Sequence, residues 1–256
     1  MPNTPLLLFD HIPRTGGTYF AEVLSRLIGS TSQNLDCGPD YPETHAKEMR
    51  RLDRYHVIVG HMRLDTVKAF RQIRPRNLIT IVRDPVALIE STYTFWRFNI
   101  KESLPHCNMA KNLPFSEFIR RRELRMVVDN PITRHFFGLW DLERLEQSET
   151  AKAMAVQMAE SYAFMGVTER MEDSIRGVAL QFAPKKANMR FGEVTRNESK
   201  GGIEVTEEDR EYLRAQTLLD QAIYRHANEK LDELLLLYGS TAKGSSSGLR
   251  DLMSLR

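Results

Sequence analysis

Leu6-Leu7-Leu8-Phe9-Asp10-His11-Ile12-Pro13-Arg14-Thr15-Gly16-Gly17-Thr18-Tyr19-Phe20 opens on an apolar run and closes on a helical pattern. The run Leu6 to Phe9 predicts a buried first strand, near Leu6–Asp10. A strand that turns through two glycines into a helix leaves backbone N–H groups free at the helix start. Those donors and the positive end of the helix dipole make an anion site. Gly16 and Gly17 permit a sharp bend and the close approach of an oxyanion. Arg14 adds a fixed charge, and Thr15 and Thr18 add hydroxyl donors. A Gly-Gly turn by itself can be only a tight connection. Here a cation, two hydroxyls and two glycines fall within five residues, which points to a phosphate or sulfate ester. The triphosphate loop G-x-x-x-x-G-K-[ST] is not matched, because no lysine follows either glycine and position 11 is histidine.

Two more apolar runs, His56–Gly60 and Leu78–Val82, read as strands, and Tyr162–Val167 as a fourth. Helical patterns lie between them, over about 85–100, over 142–161 and from Thr168. Strands alternating with helices define an α/β fold with a central parallel sheet flanked by helices. Residues 30–54 read as a surface excursion and 184–205 as irregular. Thr206-Glu207-Glu208-Asp209 is a hydroxyl cap followed by acids, the start of a helix. Leu213, Ile223, Leu231, Leu234 and Leu235 mark its apolar face, and Gly239 its end. The organisation expected is one domain over 1–239 and a flexible tail over 240–256, rich in glycine and serine.

With 256 residues, 41% of them hydrophobic, the chain can bury one large core. A net charge of +2 gives no reason to expect a nucleic-acid partner. Cys37 and Cys107 make no disulfide framework and read as reduced thiols, which favours a cytoplasmic setting. No apolar run approaches the ~18 residues of a membrane span. The first apolar run reads as a strand, not a signal peptide.

Ile79-Thr80-Ile81-Val82-Arg83-Asp84-Pro85 carries a second anion signal. Asp84 suits a helix N-cap and Pro85 the first helical position. Arg83 therefore stands at the carboxyl edge of the sheet, where open α/β folds bind ligands. Ser91, about two turns into the helix, can reach the same anion. Arginine and a hydroxyl suit a terminal phosphate, although an arginine at a strand end also serves simply as a salt-bridge partner. Two such signals at two strand ends suggest one ligand with two anionic groups.

His11–Phe20 resembles the 5′-phosphosulfate loop of sulfotransferases that use 3′-phosphoadenosine 5′-phosphosulfate (PAPS). Val82-Arg83-Asp84-Pro85 with Ser91 resembles their 3′-phosphate motif. The His-Ile-Pro-x-Thr-Gly-Gly-Thr variant is closest to the Golgi glycan-type branch, notably the uronyl 2-O-sulfotransferases. Gly60-His61, Thr133-Arg134 through Gly138, Gly166–Arg170, and Asp220 with Tyr224 follow in the expected order. Position 14 is Arg where the family more often has Lys. The resemblance implies a P-loop-like sulfotransferase fold. Without the anchor and stem of the animal Golgi enzymes, it also implies a soluble, bacterial relative.

It further implies PAPS as donor, 3′,5′-adenosine bisphosphate (PAP) as product, no metal, and a hydroxyl acceptor, a carbohydrate first. The donor would be held by Arg14, Thr15, Gly16, Gly17, Thr18 and Tyr19 on one side and Arg83 and Ser91 on the other. Arg14 would also stabilise the leaving oxygen. His61, just after a strand, is the candidate base, as the resemblance implies; His11 competes, while His45, His56, His106, His135 and His226 have weaker positional claims. Arg120-Arg121-Arg122 with Arg125 is either a solvated helix face or a surface for an acidic acceptor, and Arg134 can join it. Lys200-Gly201-Gly202 is a turn or a loop over the nucleotide, and Trp96 and Trp140 are core or pocket wall. Two other functions fit the same residues: a P-loop-like phosphotransferase using Asp84 for Mg²⁺, and a non-catalytic nucleotide- or glycan-binding module.

Overall fold

A computed structural model describes residues 6–29, 31, 35–36, 55–61, 76–101, 104–139, 143–189, 191 and 202–241. The wholly buried strand β1 (Leu6–Asp10) lies at the centre of a sheet. β2 (Leu35–Asp36), β3 (Val57–His61), β4 (Arg76–Val82) and β5 (Phe164–Val167) complete it in the order β2-β3-β1-β4-β5. Every pairing is parallel, as expected. β3 and β4 flank β1 on opposite sides, so the strand order changes direction at β1. In open parallel sheets, such a point is where ligands bind, outside the carboxyl ends of the strands.

Helix α1 (Gly17–Leu27) buries Phe20, Val23, Leu24 and Leu27, one face at helical spacing. Helix α2 (Pro85–Phe98) begins as expected, with Asp84 Oδ1 accepting the N–H of Ala87 and Pro85 in the first turn. Three short helices, α3 (Pro105–Asn112), α4 (Phe115–Phe118) and α6 (Pro131–Phe137), were not foreseen, and the helix expected to carry the basic run is only α5 (Arg125–Val128), which starts at its last residue. The helix expected over 142–161 is only α7 (Glu149–Ala159), because Ser148 Oγ accepts the N–H of Ala151 and starts it there. β5 leads through a 3₁₀ turn (Thr168–Arg170) into α8 (Met171–Phe182).

The single helix expected from Thr206 to Gly239 is two. α9 (Glu207–Gln216) starts at a capping box of Thr206 and Asp209, and α10 runs Leu218–Thr241, past Gly239. The break at Thr217 comes from side chains elsewhere in the chain. Gln147 Oε1 accepts the N–H of Leu218, and Asn130 Oδ1 accepts those of Leu219 and Asp220. These contacts supply a fresh N-terminal cap.

The main core joins the sheet to α1, α7, α8 and α10; a second cluster joins α2, α3, α4 and α9 around Tyr93, Phe115, Phe118 and Leu213. Trp96 packs at the edge of the second. Residues 242–256, most of 30–54, Cys37, His45, Trp140, Lys200 and Gly201 lie outside the described residues.

Candidate functional site

The loop after β1 continues the ladder for one bond, His11 N–H to Gly60 O at 2.8 Å, and then turns. Arg14 (φ 68°) and Gly16 (φ 78°) both take the left-handed conformation, which costs a non-glycine residue energy. Thr15 is buried, and its hydroxyl donates to Ile12 O at 2.8 Å. That hydroxyl is used within the turn, so Thr15 has only its backbone N–H to offer an anion. Gly16 caps α1, and no side chain caps the first turn. At Gly17 a Cβ would lie 2.0 Å from His11 Cδ2, so no side chain fits there.

The cations and hydroxyl expected from two separate motifs meet. Arg14 Nε donates to Ser91 Oγ at 3.2 Å, and its guanidinium lies 4.3 Å above the Phe95 ring. Arg83 Nη1 donates to the Arg14 carbonyl at 3.0 Å. Ser91, expected to share an anion with Arg83, accepts a hydrogen bond from Arg14, the cation of the other motif. Burial and then the charge of Arg83 hold the Arg14 pKa below its usual range. Two neighbouring cations with this little compensation suit an anionic ligand.

His61 ends β3 and His11 follows β1, with ring centroids 5.2 Å apart. His11 is buried between Phe9 and Gly17, and its Nδ1 has no hydrogen-bond partner among the described residues. Burial and the neighbouring His61 lower its pKa to about 4, although Asp10 opposes them. His11 is therefore neutral at pH 7. Sequence reasoning missed what launches the loop. Asp10 Oδ1 meets His135 Nε2 at 2.6 Å, Asp10 Oδ2 accepts the Tyr162 hydroxyl at 2.7 Å, and Asp10 O accepts Thr80 Oγ1 at 2.8 Å. The signal available was an acid ending an otherwise apolar strand.

The turn after β5 crosses both anion motifs. Thr168 Oγ1 lies 2.6 Å from Thr15 O and 2.9 Å from Val82 O. Glu169 Oε1 accepts the N–H of Asp84 at 3.2 Å and stands 3.9 Å from Arg83 Nε. Its Oε2 accepts the Tyr224 hydroxyl at 3.1 Å.

The basic run does not form one helix face. Arg120 pairs with Asp209 and Glu208, Arg121 with Glu117, and Arg122 and Arg125 with Glu143, across a turn, a 3₁₀ segment and the start of α5. Arg134 does not share its surface. It is fully buried, bonded to Asp129 and to the Leu139 carbonyl. Among the described residues no group of three His, Cys, Asp or Glu is placed to hold a metal ion. None of the described helices is long and apolar enough to cross a membrane.

No protein-family model matches the chain. Over 125 residues, 48% of its length, the chain is 31% identical to a protein-tyrosine sulfotransferase of Arabidopsis thaliana. The match spans only 24% of that protein's length. The similarity supports a relationship to sulfotransferases, and the parallel α/β sheet flanked by helices is consistent with their fold.

Proposed function

We propose that the chain is an enzyme that moves a sulfuryl group from PAPS to an acceptor hydroxyl. One observation carries this: two linked arginines, Arg14 and Arg83, stand with Ser91 beside an uncapped helix start at the carboxyl edge of the sheet. The residues fit a nucleotide with anions at both ends. Arg14, the backbone of Thr15 to Tyr19 and the Thr18 hydroxyl would hold the 5′-phosphosulfate. Arg83 and Ser91 would hold the 3′-phosphate. In the transfer, the S–O bond to the acceptor forms as the S–O bond to the 5′-phosphate breaks. Arg14 stabilises the charge left on that phosphate, and the acceptor proton passes to His61. The products are PAP and a sulfate ester, and no metal is needed.

The acceptor in this account is a carbohydrate hydroxyl, following the form of the Gly-Gly loop. A tyrosine phenol is the second reading, favoured by the similarity to a protein-tyrosine sulfotransferase. Thermal stabilisation by PAP compared with ATP tests the donor site. PAP is expected to raise Tm more than ATP does, and stabilisation by ATP alone overturns the proposal.

A further inference from the structure

We infer that Tyr224 and Glu169 act as a counter-charge held back from Arg83, which sets how tightly the site grips the 3′-phosphate of its nucleotide. The inference rests on the donor reading above. Arg83 Nε is buried without a hydrogen-bond acceptor among the described residues. The carboxylate facing it, Glu169, stops at 3.9 Å, within ion-pair range but beyond a hydrogen bond. Both of its oxygens are engaged elsewhere, Oε1 by Asp84 N–H and Oε2 by the hydroxyl of Tyr224.

These two hydrogen bonds hold the carboxylate in place, short of a hydrogen bond to Arg83 Nε. Arg83 is therefore partly compensated, by an ion pair at 3.9 Å that is not closed into a hydrogen bond. Its Nη1 end is fixed on the Arg14 carbonyl, so the fork cannot turn away to meet Glu169 instead. Burial and the adjacent carboxylate push the Tyr224 hydroxyl up to about 12, so it stays protonated and remains a donor. The arrangement trades affinity for release. A fully compensated Arg83 would bind a phosphate weakly, and an uncompensated one would hold the product too long.

Two variants move in opposite directions. Removing the charge with Glu169→Gln should tighten PAP binding about threefold to tenfold. Releasing the carboxylate with Tyr224→Phe should let it close on Arg83 and weaken PAP about threefold. The double variant should behave as Glu169→Gln alone, since without the charge there is nothing to hold back. Isothermal titration of each purified variant with PAP and with 5′-AMP, beside Arg83→Ala, reads all of this. AMP lacks the 3′-phosphate and should respond little. A merely structural role predicts that both single variants weaken PAP; that result, or no change in either, overturns the inference. If the unaltered protein does not bind PAP, or Arg83→Ala does not weaken it, the donor reading fails and the inference with it.

Discussion

Arg14 Nε and Ser91 Oγ, 77 residues apart in sequence, meet at 3.2 Å and join the glycine loop to α2. The guanidinium that makes this bond also stacks on Phe95. Lysine has no planar face to stack and no second N–H edge to turn toward a ligand while keeping Ser91. Arg14→Lys should therefore retain measurable turnover, reduced about tenfold to a hundredfold. Arg14→Ala should cost about 10²–10³ in kcat, the range for losing one donor to a developing oxyanion. Ser91→Ala should weaken PAP by about tenfold, one hydrogen bond to a charged group. Steady-state kinetics with PAPS and PAP titration separate the three.

His61→Ala should lower turnover by about 10²–10⁴ while leaving the PAP dissociation constant within about twofold. His11 is buried against Gly17, so changing it should disturb the loop and weaken PAP as well. Equal loss of PAP binding in both variants would contradict the role given to His61.

Two buried groups oppose each other in acid. His11 takes a proton at pH 6.5 when unfolded but only near pH 4 when folded, so its contribution to stability is lost as pH falls from 6.5 toward 4. Asp220 is buried under the first turn of α6, where it accepts the N–H groups of Ile132 and Thr133. Burial raises its pKa from 3.8 to about 7, so its contribution is lost as pH rises through that range. The two slopes should offset one another between pH 4.5 and 6.5. His11→Gln should leave a protein more stable at pH 4.5 than at 6.5. Asp220→Asn should do the reverse, by up to about 3 kcal/mol. Urea titrations at both pH values measure it.

Local sequence carried the centre of the fold and the two ends of the candidate site. The β1 loop and Arg83-Asp84-Pro85 are each written in consecutive residues, because strand, turn and cap chemistry act over a few positions. What was missed is written across the chain. The carboxylate of Asp10 is fixed by His135 and Tyr162, 125 and 152 residues away, and neither carries a local sign of that task. The break at Thr217 depends on Asn130 and Gln147 in the same way. The helices α3 to α6 are too short to show an apolar period. Arg134 was grouped with exposed arginines because its buried partner, Asp129, shows no pattern that marks it as buried.

Arg134 gives a further test. Arg134→Met leaves Asp129 buried without its cation and should cost about 3–5 kcal/mol of stability. Exposed Arg122→Ala, which loses the pairing with Glu143, should cost less than about 1 kcal/mol. Neither should change the acceptor KM of the folded protein. A large rise in that KM for Arg122→Ala would restore the basic run as an acceptor surface.

Sulfuryl transfer itself is tested most directly by incubating the protein with labelled PAPS, a metal chelator and a panel of glycans and tyrosine peptides. The expected result is label on an acceptor in step with PAP release, undiminished by chelation and abolished in Arg83→Ala. Failure to label any acceptor from PAPS, with metal-dependent transfer of phosphate from ATP in its place, would contradict the account.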